Sequence, residues 1–309
     1  MSSLSVAILG KNSRWILKYS LRAVRSALRE VGRDIEVVYV DGGSTDGSKE
    51  LVREFLPRAR IIDAPGTNIP EARNIAIRET SGDYLVYWDS DILAPPSALK
   101  ALLQQNKPIV ALIRRDVYVA SEEEIQNIMA GLSEDPSPTA YPVSFVVFSV
   151  TLFHRNVFRG VRLFDERMTQ AEDRDICLRA YCKGFQSFYI STTAYDINKR
   201  RLSDVPVATP LRQYLRGIGK KALIYAYTPS RRQKINAAIF AAVHATAALG
   251  MFATPIAPAV ELLPLIYQIM LYGGRKGVEM HIKALTLYTL MALFMPLRLK
   301  NICTWIGHG

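Results

Sequence analysis

The sequence predicts an α/β domain built on a mostly parallel sheet, followed by a C-terminal helical membrane region of about three transmembrane helices. Three observations carry that prediction. Short β-type runs alternate with helical patterns over the first 195 residues, hydropathy rises sharply after about residue 235, and a basic stretch lies between the two.

Taken in order, the β-type runs are Ser5–Leu9, Ile35–Val40, Arg60–Asp63, Tyr84–Trp88, Pro108–Ile113, Val143–Leu152 and Ser187–Ser191. Helical patterns fall between them at Trp15–Val31, Ser48–Phe55, Pro70–Glu79, Pro96–Gln105, Glu122–Met129 and Ala171–Lys183. Such alternation argues for βαβ units and a sheet covered on both faces, with ligands bound beyond the C-terminal ends of the strands. Asp41, Asp89 and the loop after Leu9 then share one edge. Gly131–Pro142, rich in Ser and Pro, reads as a mobile loop near the site. The expected organisation is a catalytic domain over 1–196, a basic interfacial connector over 197–234 and membrane helices over 235–309.

The 309 residues are 49% apolar, enough for a packed core, and carry a net charge of +11. The excess is local. Between Ile197 and Lys234 stand ten Lys and Arg residues against one acid, Asp204. A basic cluster beside apolar spans reads as a cytoplasmic segment that meets anionic headgroups or phosphates. Nucleic acid is not expected as a partner, because no basic and aromatic binding motif accompanies the charge. The three cysteines, Cys177, Cys182 and Cys303, lack zinc spacing and fit a reduced compartment. Met1–Gly10 reads as a strand followed at once by charges rather than as a signal peptide, which places the catalytic part in the cytoplasm.

The apolar stretches are Ile235–Phe252, Pro255–Tyr272 and a third from Ala284 to Leu297, extendable to Trp305 if Arg298 and Lys300 snorkel. The first two approach the ~20 residues that a span requires, while the third is short. Thr254–Pro258 is an uncharged turn, whereas Gly273–Lys283 carries Arg275, Lys276 and Lys283 and reads as an inside loop. Three membrane helices are expected, with two plus an interfacial helix as the fallback and a helical soluble domain as the alternative. The chain is then an integral protein of the cell membrane.

Three acidic stations carry the chemistry. Asp41 ends a strand and is followed by Gly42-Gly43-Ser44-Thr45-Asp46-Gly47, a turn whose glycines let a ligand approach the backbone, suited to hydrogen-bonding a base or ribose. A turn with a helix N-cap accounts for the same residues. Asp89-Ser90-Asp91 closes the apolar run Tyr84–Trp88, so one carboxylate can serve the ribose and the other a metal, with Ser90 beside the nucleotide sugar. Diphosphates leave slowly unless their growing charge is neutralised, which Mg²⁺ or Mn²⁺ held by one or two carboxylates provides. Glu172-Asp173 opens a helical pattern; either a dipole-favoured cap or a general base fits, with Asp173 preferred as the base and Glu172 second. Arg73, in Ala72-Arg73-Asn74, stands between the first two stations and is positioned to contact the nucleotide or its phosphates, unless it forms an exposed helix salt bridge. His154 either reaches the metal or is structural.

The order of these motifs resembles glycosyltransferase family 2, the nucleotide-sugar enzymes of GT-A fold, over Val6–Asn12, Val37–Ser48, Ala72–Ala76, Gly82–Asp91 and Phe164–Phe185. The resemblance implies that Leu9, Gly10, Asn12 and Asp41 line the nucleotide pocket. It also implies that Asp89 touches ribose or metal, Asp91 binds the metal and Asp173 is the base. Two departures stand out. Leu9-Gly10-Lys11-Asn12 replaces the usual Pro-x-Tyr-Asn, and Arg162 stands where the family commonly has Gly ahead of Phe-Asp. Gln213-Tyr214-Leu215-Arg216-Gly217 is similar to the Gln-x-x-Arg-Trp box of cellulose-synthase-like members, which assigns Gln213 and Arg216 to acceptor and diphosphate. The short C-terminal helices also look like those of dolichyl-phosphate mannose synthases.

The expectation is therefore a metal-dependent, inverting hexosyltransferase that uses a nucleotide-sugar donor and a polyprenyl-phosphate-linked acceptor at the membrane. GDP-mannose is the first donor and UDP-glucose the runner-up, by analogy. The alternative is a UDP-glucose-dependent lipid glycosyltransferase or a minimal polysaccharide-synthase-like enzyme, and the rivals from other classes are a catalytically silent membrane scaffold and a nucleotidyltransferase. The latter usually has a Gly-rich N-terminal loop, whereas Gly10 is the only glycine in the first 31 residues.

Overall fold

A computed structural model of the chain describes residues 2–32, 34–168 and 170–199, and beyond these 222, 224–226, 266, 269–270, 274–294 and 303. Residues 1–200 form one compact unit and 201–309 a second. The first unit runs β1 (Leu4–Gly10), α1 (Arg14–Val31), β2 (Glu36–Asp41), α2 (Ser48–Phe55), β3 (Arg60–Asp63), α3 (Ile69–Glu79), β4 (Tyr84–Asp89) and β5 (Ile92–Leu93). It continues with α4 (Ala98–Gln104), β6 (Ile109–Tyr118), α5 (Glu122–Ala130), β7 (Ala140–Val143), β8 (Val150–His154), α6 (Asn156–Val161), α7 (Glu172–Cys182) and β9 (Ser187–Asn198).

Among the described residues the strands make one nine-stranded sheet, ordered β3-β2-β1-β4-β8-β6-β9-β5, with β7 added to β9. The β3-β2-β1-β4 half is parallel, and β8 enters antiparallel between β4 and β6. Alternation along each strand sorts two cores. Val6, Ile8, Val86 and Trp88 face Leu17, Leu21, Leu99 and Leu102 of α1 and α4, while Ala7, Leu85 and Tyr87 face Ala76 of α3 and Ile176 of α7. By the same period Asp89 continues the Leu85–Tyr87 face toward α3 and α7, and Asp41 continues the Tyr39 face toward α1.

Several expected boundaries move for identifiable reasons. The single run Val143–Leu152 splits, because β7 pairs with β9 while β8 pairs with β4 and β6, so the chain must leave the sheet between them. β6 and β9 run past Ile113 and Ser191, with a register shift between Leu112 and Ile113 that carries the pair onward to Tyr118 and Asn198. β5 and α6, two and six residues long, are too short for a periodic signal. The loop expected over Gly131–Pro142 gives its last three residues to β7, where Pro142 is tolerated on an edge strand.

In the second unit, α8 (Gly274–Phe294) starts ten residues before the expected apolar stretch. The charged segment Gly273–Lys283, expected as a loop, is therefore helical from Gly274 onward, with Glu279 and Lys283 paired one turn apart at 3.0 Å. No helix among the described residues is long and apolar enough to cross a membrane. Ile235–Phe252 lies outside the described residues, as does most of Pro255–Tyr272.

Arg162 ends α6 at φ 64° and ψ 179°, a conformation that glycine favours. The residue departs from the family pattern while the backbone keeps a glycine-like shape. Replacing Arg162 with Gly should relieve strain of about 1–3 kcal/mol, offset by about 0.5–1 kcal/mol of glycine's chain entropy. A rise in Tm of roughly 2–4 °C is expected, and an unchanged or lower Tm would argue that no strain is held there.

Candidate functional site

The parallel register levels three strand ends. Gly10 lies opposite Asp41 and Leu9 opposite Asp89. Gly42 N–H donates to the Gly10 carbonyl at 2.9 Å and Ser90 N–H to the Leu9 carbonyl at 3.0 Å, which laces the loops together at the rim. Asp41 is fully buried. Its Oδ2 accepts from the N–H groups of Gly43 (3.1 Å) and Ser44 (2.7 Å), while Oδ1 has no hydrogen-bond partner among the described residues. A buried carboxylate oxygen left unpaired is costly, and a ligand N–H or O–H would satisfy it. Gly10 admits no side chain, since a Cβ there would sit 2.4 Å from the Tyr39 hydroxyl.

Asn12 adopts φ 50° and clasps the turn beyond Asp41. Its N–H donates to Ser44 Oγ and its Oδ1 accepts from Thr45 N–H, both at 2.9 Å. Asp46 is structural: it accepts from Arg14 N–H at 2.9 Å and from Ser48 N–H and Oγ at 3.0 and 2.6 Å. Against the effect of burial, those bonds hold its carboxyl below the usual range. The first acidic motif thus divides into a carboxylate with one buried, unpaired oxygen and one that ties down the starts of α1 and α2.

At the second station Asp89 keeps 26% of its side chain exposed and lies 3.8 Å from Arg73. Asp91 accepts Ile197 N–H on its backbone carbonyl at 3.0 Å, and Ile92 pairs with Asp196, which brings a third carboxylate alongside. Burial, aided by Asp196 and Asp89, pushes the Asp91 carboxyl up to about 7; burial first, then Asp196 and Glu172, raises Asp89 to about 6 against the opposing guanidinium of Arg73. Asp196 is itself bonded to Arg114 at 2.8 Å, and Arg114 reaches Asp116 at 2.7 Å. Asp196 and Arg114 are absent from the sequence-predicted site because both lie beyond the expected ends of β9 and β6. Extending the Tyr195-Asp196-Ile197 alternation was the signal that could have found Asp196.

The third station begins at Ala171, held at φ 63°, from which α7 starts with Glu172, Asp173 and Asp175 in its first turn. Glu172 is bonded to Arg73 at 2.5 Å. Burial, and then the neighbouring Glu172, raise the Asp173 carboxyl to about 6, opposed by the Arg174 N–H and by Arg73. Arg73 is 3% exposed, not on an open helix face, so the exposed-salt-bridge alternative is set aside. His154 pairs with Tyr84, at the opposite end of β4 from Asp89, and accepts Asn156 N–H at 3.1 Å; its place is structural. Gln213 and Arg216 lie outside the described residues.

A cavity of about 650 Å³ opens on the α1 side, lined by Arg14, Trp15, Lys18, Glu122 and Lys199 among others. Of the acidic stations only Asp46 lines it; Asp41, Asp89, Asp91, Glu172 and Asp173 do not.

Residues 5–162, slightly more than half of the 309, match the Glycosyl transferase family 2 profile. The chain belongs to glycosyltransferase family 2. Among relatives of this family, chondroitin synthase of Escherichia coli is 35% identical over 98 residues, 31% of this chain and 14% of that protein's length. The mannosyltransferase PcManGT from Pyrobaculum calidifontis, in complex with GDP-Man and Mn²⁺, aligns over 96% of this chain and 87% of its own at 16% identity and a TM-score of 0.53. S. aureus TarS 1-349, in complex with UDP-GlcNAc, aligns over 93% of this chain and 91% of its own at 15% identity and a TM-score of 0.51. These structural likenesses show the GT-A fold.

Asp89, Asp91 and Asp196 are oxygen donors whose mutual repulsion a cation relieves, as hard ions require. No three His, Cys, Asp or Glu side chains among the described residues are grouped to enclose a metal ion by themselves. A partial carboxylate shell completed by phosphate oxygens fits Mg²⁺ or Mn²⁺.

Proposed function

We propose that this family 2 protein is a metal-dependent, inverting glycosyltransferase that moves a hexose from a nucleotide donor to a hydroxyl of a polyprenyl-phosphate-linked acceptor. The observation that carries the reading is the charge cluster in which Arg73 joins Asp89 on the donor side to Glu172, next to Asp173, on the other. The unpaired Oδ1 of Asp41 would accept a hydrogen bond from the base or ribose once the rim loops admit it, with Leu9, Gly10, Asn12 and Ser90 around it. Asp91, with Asp89, would hold Mn²⁺ or Mg²⁺. When bound, the cation supplies neutralisation of the charge that builds on the departing diphosphate. Asp173 would take the proton from the attacking hydroxyl, and attack opposite the leaving group inverts the anomeric centre.

The membrane setting rests on the apolar stretches after residue 235 and on the basic connector, which suits anionic lipid phosphate at the cytoplasmic face. GDP-mannose is the first donor to test. UDP-glucose is the second, and makes a UDP-sugar lipid glycosyltransferase the alternative reading. The two nucleotides also match the ligands of the two fold neighbours.

The test is incubation of detergent-solubilised protein with labelled GDP-mannose or UDP-glucose, Mn²⁺, and either polyprenyl phosphate or a polyprenyl-diphosphate-linked sugar. Label entering the lipid fraction from one donor, and lost with EDTA, is the expected result. Donor hydrolysis without lipid labelling would keep the transferase and reject the acceptor. Neither turnover nor nucleotide binding would favour a silent scaffold.

A further inference from the structure

Arg73 is enclosed by the protein's own groups. Nη1 donates to Glu172 Oε1 at 2.5 Å, and Nη2 lies 3.8 Å from Asp89 Oδ2. Its guanidinium carbon sits 4.6 Å from the Phe148 ring centroid and 5.9 and 5.8 Å from those of Tyr87 and Phe164. Nε–H is buried without a hydrogen-bond partner among the described residues, and the ring faces are what surrounds the guanidinium there. The backbone is pinned as well, since the Tyr87 hydroxyl donates to the Arg73 carbonyl at 3.0 Å. With 3% exposure, a nucleotide would have to displace a carboxylate or a ring to reach it.

The residues around Arg73 fasten the same two elements. Asn74 Nδ2 donates to the Phe164 carbonyl at 2.9 Å and its Oδ1 accepts Phe164 N–H at 2.8 Å. Asn68 Nδ2 donates to the Glu166 carbonyl at 2.8 Å. Asn68, Arg73, Asn74 and Arg78, which lies 3.6 Å from Glu166, therefore fasten α3 and its cap to α7 and its approach, and of the four only Arg73 also reaches the donor-side acid. The gripped segment, Phe164 to Glu172, contains Ala171 at positive φ and is preceded by Arg162, also at positive φ, conformations that persist only where the surroundings hold them.

We propose that Arg73 is a positioning residue and not a nucleotide contact: its two-armed guanidinium spans from Asp89 to Glu172 and so holds Asp173 at a set distance from the donor carboxylates. Resting on the transferase reading above, this assigns that site its spacer. A planar fork reaches two carboxylates at once, and an ammonium reaches one well. Arg73→Lys keeps the charge and loses the span.

The experiment has two arms. In the first, Arg73→Lys is compared with wild type for binding of GDP and UDP in the presence of Mn²⁺, by calorimetry, and for donor turnover. The expected result is nucleotide affinity within about threefold and kcat lower by about 100-fold, the loss that a misplacement of about 1 Å produces, with donor KM little changed. A loss of nucleotide affinity equal to the loss in kcat/KM would make Arg73 a nucleotide contact and overturn the proposal. In the second arm, Tm is measured for Arg73→Lys, Glu172→Gln and the double variant. The double variant should lose clearly less than the sum of the singles, because each single substitution already breaks the shared pair. Additive losses would overturn the strut whatever the chemistry. If wild type binds and turns over neither donor, the transferase reading fails and the positioning role with it, while non-additive Tm losses would still mark the strut.

Discussion

Asp91→Ala should abolish metal-dependent donor turnover. Asp89 and Asp91 are the two acids of the second station, but Asp89 faces Arg73, which already offsets part of its charge. Asp91 instead sits against Asp196 and Asp89, where burial and like charge raise it to about 7. Asp91 has no ion pair among the described residues, and the cation that acts on it, Arg114, is already bonded to Asp196, so a bound divalent ion relieves it best. Losing that ligand removes several kcal/mol of charge stabilisation on the diphosphate, or about a 1,000-fold loss in rate at ~1.4 kcal/mol per tenfold. The measurement is the initial rate of donor consumption at saturating Mn²⁺, beside an EDTA control. Mn²⁺ should also raise the Tm of wild type and not that of the variant. Full turnover in Asp91→Ala would remove it from the metal site.

Asp173→Asn should preserve donor binding while lowering transfer by about 10²–10⁴-fold, the range for removing a general base. The substitution keeps shape and hydrogen bonding but cannot accept a proton. The pH profile follows from the same residue. A base works deprotonated, and burial with the Glu172 neighbour places the Asp173 carboxyl at about 6. Transfer should therefore be level above that value and fall about tenfold per unit as the pH drops below it. In Asp173→Asn the residual rate should lack that acid limb. A lipid phosphate acceptor is already ionised and needs no base, so a variant retaining most of its activity would identify that acceptor and end the base role.

Much of this site was legible from residue types and order. Asp41, Asp89 and the Leu9 loop were placed on one edge because parallel strands in alternation with helices align their C-terminal ends, and the register of β1 with β2 and β4 places them so. What could not be read were features made by pairing between distant segments. Asp196 is an unremarkable residue until β5 pairs with β9, and Arg114 has no meaning as a counter-ion until β6 runs beside it. Asn12 was assigned to the nucleotide pocket, and its backbone and side chain also secure the Ser44–Thr45 turn. From the sequence, Arg73 reads as a contact to the nucleotide or its phosphates, or as an exposed helix salt bridge. Phe148 and Phe164, more than seventy residues away in the chain, are what bury it.

The sequence by itself determined the α/β class of the first unit, the family and the strand-end and helix-start positions of the acidic residues, because hydrophobic period, glycine-rich turns and strand-end acids are local patterns. Only the tertiary structure decided which acids are shared, which keep an unpaired oxygen and which are already bonded. Those outcomes depend on burial and on charges brought close by strand pairing, and neither is written in any short stretch of the chain. A single buried guanidinium between Asp89 and Glu172 shows the difference: its residue type is local information, and its two partners are not.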